Sequence, residues 1–194
     1  GKMAGRLDDL AVFRASKAPL RQYFVMGERC SGTNFLGNLV WKNLPLKVHA
    51  GRQWKHGFPT FHAPPPDLVI LVTYRNAVSW TKSLFERPWH STGNLRTLNF
   101  SDFLRTPWTS VVDGRFKIQN KGFPDLMGAP LQADRHPLTG KPFPNILRLR
   151  TAKLRALLGL RRRGFSVAYI PHEVLRAEPE RALHRLADLL GVKA

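Results

Sequence analysis

Two short polar segments of the sequence carry residue types that could bind an anion. Residues 27–34 read GERCSGTN and stand between an apolar run and a helical pattern. Backbone amides at a helix N-terminus, a glycine that permits close approach and an arginine fork all suit phosphate or sulfate oxygens. The candidate ligands in this segment are Arg29, Cys30, Ser31, Gly32, Thr33 and Asn34. A glycine turn with an ordinary Ser or Thr helix cap would explain the same residues without a ligand.

The same segment differs from the loop that binds nucleoside triphosphates. That loop reads GxxxxGK[ST], in which the lysine reaches the terminal phosphates and the hydroxyl binds magnesium. In residues 27–34 no lysine precedes the serine or threonine. The pattern therefore disfavours an ATPase or GTPase, and a P-loop nucleotide kinase stays only as an alternative.

The second polar segment is TYRNAVSWTKS, in which Arg75 follows a long apolar run and Ser83 comes eight residues later. We expect Arg75 at the carboxyl end of a strand and Ser83 two turns into the next helix, so that both can face one crevice. Taken alone, Arg75 could instead form a surface ion pair, and Ser83 could be a neutral helix residue.

The elements that would position these segments alternate between strand and helix patterns. Apolar runs predict strands and 3.6-residue spacing predicts helices, in the order strand 23–26, helix 35–44, strand 46–49, strand 67–74, helix 77–86, helix 145–162, strand 165–170 and helix 179–190. The alternation predicts an α/β fold, an open and mostly parallel sheet with helices on both faces. In such a sheet ligands bind beyond the carboxyl ends of the strands.

Length and composition predict a single domain. A chain of 194 residues with 43% hydrophobic content can form one sizeable core. We expect a basic N-terminal segment at residues 1–20 and one domain at residues 21–194. Within it, prolines interrupt the patterns of residues 88–144, where only LNFSDFL predicts a short helix, and this irregular region is a candidate acceptor-side loop.

The charge balance predicts a polyanionic partner. Thirty-one Lys and Arg against 13 Asp and Glu give a net charge of +18. A basic nucleic-acid-binding protein is therefore the first competing interpretation. A single cysteine excludes an internal disulfide and multi-cysteine zinc sites, no apolar run is long enough to span a bilayer, and we expect a cytoplasmic protein.

Together the two polar segments resemble the nucleotide-binding motifs of sulfotransferases that use 3′-phosphoadenosine 5′-phosphosulfate. GERCSGTNFL is similar to the family's 5′-phosphosulfate loop, whose usual form is a strand, Pro-Lys or Pro-Arg, and then Ser-Gly-Thr. Here Cys30 directly precedes Ser31 and the basic Arg29 lies one place earlier. Arg75 and Ser83 match the family's arginine and serine for the 3′-phosphate. The stretch AYIPHEVLRAEPERALHRLADLLGV resembles its closing strand, acidic turn and helix.

The resemblance implies a P-loop NTPase-like sulfotransferase fold and a matching activity. A sulfuryl group would pass from 3′-phosphoadenosine 5′-phosphosulfate to a hydroxyl or amine, with adenosine 3′,5′-bisphosphate as product and without a metal. The positive charge favours an anionic glycan as acceptor, with a small molecule as the other possibility. The resemblance implies no specific binding to nucleic acid, and we expect no membrane span.

The segment WKHGFP resembles the catalytic Lys-Thr-His-Leu-Pro of cytosolic sulfotransferases. The resemblance implies that His56 is the general base and that Lys55 or Arg29 stabilises the leaving oxygen. His90 and Glu173 are alternative bases. Among the five tryptophans, the one in this segment is the best candidate to stack on adenine, although core packing is the commoner role of tryptophan.

Two cations lie on the apolar face of the helix predicted at residues 145–162. At 100° per residue, Arg150 and Lys153 fall among Ile146, Leu154 and Leu157. A buried cation needs a partner. The sequence leaves two alternatives open: the pair lines the nucleotide or acceptor cleft, or it pairs with buried carboxylates.

Overall fold

The computed structural model describes residues 9–51, 53–113 and 126–193. Within these ranges the strands are Ala11–Phe13 (β1), Gln22–Gly27 (β2), Lys47–Val48 (β3), Leu68–Tyr74 (β4) and Ser166–Pro171 (β5). The α-helices in the same ranges are Thr33–Asn43 (α1), Ala77–Glu86 (α2), Gly93–Arg96 (α3), Phe100–Arg105 (α4), Ile146–Leu158 (α5), His172–Ala177 (α6) and Pro179–Leu190 (α7).

In the described part of the chain, the five strands form one sheet in the order β1-β5-β4-β2-β3. The pairings of β4 with β2, of β4 with β5 and of β2 with β3 are parallel, whereas β1 runs antiparallel to β5. The fold is thus α/β with a mostly parallel sheet, as predicted. The carboxyl ends of β2, β4 and β5 meet at one edge, from which the loops to α1, α2 and α6 depart.

Both faces of the sheet are covered, which explains why β2 and β4 are almost continuously apolar. On one face, Val25 and Leu71 pack against α1 and α7. On the other, Met26 and Ile70 pack against the end of α5 and the 3-10 turn Gly159–Arg163. A third cluster around Phe103 joins α2, α4 and the start of α5.

Several predicted bounds are confirmed. α2 and α7 begin and end where the periodicity places them, and α4 forms at the predicted short helix. The helix predicted at 145–162 changes to a 3-10 turn after Leu158, before Gly164 takes a left-handed φ of 80°. The irregular region contains more structure than expected, including α3 and a 3-10 turn at Gln132–Asp134. Its residues 114–125 lie outside the described residues.

The sheet begins earlier in the chain than predicted. The sequence suggested a separate segment at residues 1–20, but β1 pairs with β5 along three residues. Leu10 and Leu20 are buried in the core, and Arg14 Nη1 donates to the carbonyl of Leu190 at 2.9 Å. Three residues are too few for a periodic pattern, so only the pairing with β5 reveals this strand.

If residues near β1 belong to the core, Leu10→Ala will lower the free energy of unfolding by about 2–5 kcal/mol, the usual cost of a buried Leu→Ala cavity. Leu138→Ala is the matched control, because Leu138 is 91% exposed whereas Leu10 is 4% exposed. Urea denaturation of both variants measures the difference. Equal stability of the two would contradict the inclusion of this segment in the domain.

Candidate anion-binding site

The loop between β2 and α1 has the backbone shape that the sequence pattern suggested. Cys30 and Gly32 both adopt left-handed conformations, with φ of 60° and 89°. Gly32 is the N-cap of α1, and no side chain among the described residues caps this helix. The simple explanation of Ser31–Asn34 as a side-chain helix cap therefore does not hold. The amides of the first turn are left for another acceptor.

Hydrogen bonds within the protein hold this loop in place. The fully buried Ser31 donates through Oγ to the carbonyl of Glu28 at 2.6 Å, and Thr73 Oγ1 donates to the carbonyl of Ser31 at 2.8 Å. Trp80 Nε1 donates to the carbonyl of Arg29 at 2.8 Å. The hydroxyl of Ser31 thus shapes the loop. A Cβ at Gly27 would lie 2.5 Å from the carbonyl oxygen of Thr73, so this position requires glycine.

The second polar segment lies against the first. Arg75 follows β4 and donates through Nη1 to the carbonyl of Cys30 at 3.1 Å, and through Nε to Ser79 Oγ at 3.1 Å. The carbonyl of Ser83 lies 3.7 Å from Cys30 Sγ. Glu173 Oε1 accepts from the amide of Asn76 at 2.9 Å and so anchors the turn that leads into α2. The structure brings the two predicted motifs together.

A third segment joins the end of β2. The amide of Gly27 donates to the carbonyl of Lys55 at 3.0 Å, and His56 Nδ1 lies 2.8 Å from the carbonyl oxygen of Gly27. A carbonyl can only accept, so Nδ1 carries the proton and Nε2 keeps its lone pair. Lys55 Nζ donates to Asn34 Oδ1 in the first turn of α1. Both residues of the predicted catalytic pair therefore lie beside the loop.

The surroundings of this pair lower the pKa of both side chains. Burial lowers the pKa of His56 well below its ordinary value of 6.5, and the nearby charges of Arg29, Lys55 and Lys153 lower it further, although the bond to Gly27 raises it. Burial also lowers the pKa of Lys55. His56 is consequently neutral, and able to accept a proton, throughout the physiological pH range.

A buried carboxylate, Asp134, collects two of the cations that the sequence assigned to the anion site. Arg29 donates to it through both Nη atoms, with Nη1 at 3.2 Å from Oδ1, and Lys153 Nζ and Ser110 Oγ donate to it as well. Burial raises the pKa of Asp134, but Arg29 and Lys153 outweigh burial and hold it well below its usual range. Asp134 is therefore ionised, and both of its carboxylate oxygens accept hydrogen bonds from these side chains.

A second buried pair joins the loop to α5. Arg150 Nη1 donates to Glu28 Oε2 at 2.6 Å and Nη2 donates to the carbonyl of Arg75 at 2.5 Å, while its guanidinium lies 4.5 Å from the ring centre of Trp80. Burial raises the pKa of Glu28 to about 7, although Arg150, Lys153 and Arg29 each lower it. Glu28 thus has a structural role.

These contacts change the assignment of three predicted ligands. Arg150 and Lys153 are buried as expected, and of the two alternatives for them the structure shows pairing with carboxylates. Arg29 is 5% exposed and lies between Asp134 and Trp54, whose ring centre is 4.6 Å from the guanidinium carbon. We therefore place Arg29, Arg150 and Lys153 in a buried ion cluster instead of an open anion site.

The sequence did not single out Asp134, because it stands 105 residues after Arg29 in the irregular region. Its only signal was the need of the buried Arg150 and Lys153 for a carboxylate partner. Trp54 was the candidate for adenine stacking, but one face of its ring lies under Arg29. The ring also contacts His56 and His90 edge to face, at 5.4 and 5.7 Å between centres.

The alternative bases are tied to other groups. His90 Nδ1 lies 2.9 Å from Asp113 Oδ1, and Glu173 accepts from the amide of Asn76 and from Ser79 Oγ. Glu173 thus positions the turn before α2. His90, in the region assigned to the acceptor, and the base candidate His56 both contact the ring of Trp54.

Comparisons found no family model, no curated protein and no solved structure that matches this chain. Among the described residues, no group of three or more His, Cys, Asp or Glu side chains could hold a metal ion. Over the same residues, none of the helices combines the length and apolarity needed to cross a bilayer.

If the ion cluster supports the loop, Asp134→Asn will lower the free energy of unfolding by about 3–5 kcal/mol at pH 7, because two cations stay buried without their counter-ion. Asp102→Asn, which breaks an exposed pair with Arg105, will cost at most about 1 kcal/mol. Urea denaturation compares the two. Since the pKa of Asp134 is lowered by folding, the wild-type advantage will persist above pH 4 and decline only in stronger acid.

Proposed function

We infer that this chain is a sulfotransferase of the P-loop-like α/β type, which uses 3′-phosphoadenosine 5′-phosphosulfate as donor. The observation that carries this proposal is the meeting of three separate segments: the loop after β2, the turn after β4 and residues 55–56. Arg75 bonds the loop at Cys30, His56 bonds it at Gly27, and Lys55 reaches Asn34. The resemblance in sequence assigns Arg75 to the donor's 3′-phosphate, His56 to the general base and Lys55 to the leaving oxygen.

The residues at this loop fit the donor chemically. Gly32 and the uncapped first turn of α1, including Thr33 and Asn34, would hold the 5′ anionic end. Arg75 and Ser83 would hold the 3′-phosphate. No carboxylate among the described residues forms an ion pair with Arg75, in contrast to Arg29, Arg150 and Lys153. Arg75 therefore has a positive charge available for a phosphate.

The donor supplies an activated sulfuryl group and leaves as adenosine 3′,5′-bisphosphate. His56 Nε2 takes the proton of the acceptor hydroxyl or amine, because Nδ1 is already committed to Gly27. The ammonium of Lys55, beside the N-terminus of α1, stabilises the negative charge that develops on the leaving side. These roles require no metal ion.

The acceptor side is the region of residues 88–144. His90 and His56 both contact the ring of Trp54, so this region adjoins the proposed base. The net charge of +18 favours an anionic acceptor such as a glycan, and a small molecule is the other candidate. Specific nucleic-acid binding and nucleotide kinase activity are the outcomes that would replace the proposal.

Nucleotide binding provides the first test. Wild-type protein will bind adenosine 3′,5′-bisphosphate more tightly than ATP with magnesium or adenosine monophosphate in calorimetry. Arg75→Ala will weaken this binding by about 10- to 100-fold, the loss expected for a charge-assisted hydrogen bond, and Ser83→Ala by several-fold.

Lys82→Ala is the control for charge, since it removes one positive charge from an exposed position on the same helix as Ser83. Its affinity for the bisphosphate will match that of the wild type. Equal binding of all three nucleotides, or equal losses in Arg75→Ala and Lys82→Ala, would refute the proposed nucleotide site and favour non-specific attraction of anions.

The second test concerns the base. With the donor and a panel of glycan and small-molecule acceptors, His56→Gln will reduce turnover roughly 10²–10⁴-fold while adenosine 3′,5′-bisphosphate still binds. Because the pKa of His56 is lowered, wild-type activity will persist as the pH falls through 6.5 and will decline only at lower pH. Unchanged turnover in His56→Gln, measured as release of the bisphosphate, would eliminate this histidine as base.

A further inference from the structure

A buried histidine nitrogen near the loop has no hydrogen-bond partner among the described residues. His172 begins α6 at the carboxyl end of β5, and only 9% of the residue is exposed. Its Nδ1 makes no hydrogen bond to any residue in the part of the chain that the structure describes. An unsatisfied buried polar atom destabilises the folded state, so such atoms are uncommon in native proteins.

This nitrogen is aimed at the start of α1. A Cβ built on Gly32 would lie 2.4 Å from His172 Nδ1 and 3.0 Å from Cε1, so the imidazole edge packs directly on Gly32. Gly32 is the N-cap of a helix that no side chain among the described residues caps. The unpartnered nitrogen therefore lies beside the residue at which α1 and its uncapped first turn begin.

We propose that His172 is a further ligand of the anion bound at this loop, and that its Nδ1–H donates a hydrogen bond to a phosphate or sulfate oxygen. The imidazole takes up one proton from solvent as the anion binds, and it releases this proton when the anion leaves. The inference rests on the proposed nucleotide site, to which it adds a residue and a dependence on pH.

The charges around His172 explain why the proton arrives with the ligand. Burial lowers the pKa of His172, and the cations Arg75 and Arg176 lower it further, whereas Glu173 raises it. Arg75 faces the ring from the turn after β4, and the other two belong to its own helix. A bound dianion offsets Arg75 and raises this pKa, so affinity increases as the pH falls between the bound and free values.

A purely structural role predicts a different result. His172 could merely fill the space beside Gly32 and keep a larger residue out of that position. In that case its substitution would change stability, or affinity at every pH alike, without changing the number of protons bound. Proton uptake therefore separates the two roles.

The experiment is calorimetry of wild type, His172→Asn and His184→Asn with two probes, adenosine 3′,5′-bisphosphate and inorganic sulfate, in buffers of different ionisation enthalpy. Sulfate stays a dianion across pH 5.5–8, so any proton taken up from the buffer when it binds must be bound by the protein. His184 is exposed on α7 and serves as the matched control.

We expect wild type and His184→Asn to take up as much as one proton more than His172→Asn with either probe. Their affinity will rise by up to about tenfold per pH unit on acidification, more steeply than that of His172→Asn. Should His172→Asn fold poorly, the 15N shifts of the His172 imidazole in wild type, with and without sulfate, report the same protonation.

Equal proton uptake in all three proteins, or a His172 imidazole that stays neutral with sulfate bound, would overturn the proposal. Uptake that depends on His172 with sulfate, but no preference for the bisphosphate, would leave the anion ligand in place and refute the sulfotransferase assignment. Preferential binding of the bisphosphate without proton uptake by His172 would refute His172 as a ligand and leave the sulfotransferase assignment in place.

Discussion

The loop at the centre of this protein depends on a buried set of ion pairs. Asp134 binds Arg29 and Lys153, and Glu28 binds Arg150, so the loop after β2 is tied to α5 and to the irregular region. Burying these five charged groups is costly, and the cost is met only when each is paired and hydrogen-bonded. Each pair joins elements that are distant in the chain, so the loop keeps its shape only in the complete fold.

The same ion pairs give the site its electrostatic character. Three cations against two carboxylates leave an excess of one positive charge, and burial raises the pKa of Glu28 to about 7, so its protonation would add another. This charge lies directly behind the loop that Arg75 and Lys55 contact. The buried cations can thus favour an anion through the low-dielectric interior without touching it. Arg29 is better understood in this role than as a direct ligand.

Local pattern was sufficient for the elements that carry the site. β2, β4, α2 and α7 are long enough to express their periodicity, and their alternation predicted a parallel sheet with its loops at one edge. Arg75, His56 and Lys55 could therefore be nominated before any coordinates. β1 could not be predicted, because three residues are too few to show a periodic pattern and its partner β5 lies more than 150 residues later in the chain. Asp134 and His172 were missed because each acts through a partner remote in sequence.

The sequence by itself determined the α/β class and the residue types that could meet an anion, because strand and helix periodicities and a glycine-containing turn are local properties. It also required that Arg150 and Lys153 either pair with buried carboxylates or line a ligand cleft, because they fall on an apolar face. Only the tertiary structure decided which cations pair with buried carboxylates. Asp134 pairs with Arg29 and Lys153, and Glu28 pairs with Arg150. Arg75 instead donates a hydrogen bond to the carbonyl of Cys30 in the loop. The competition of these cations for two carboxylates depends on three-dimensional distance, which sequence spacing does not contain.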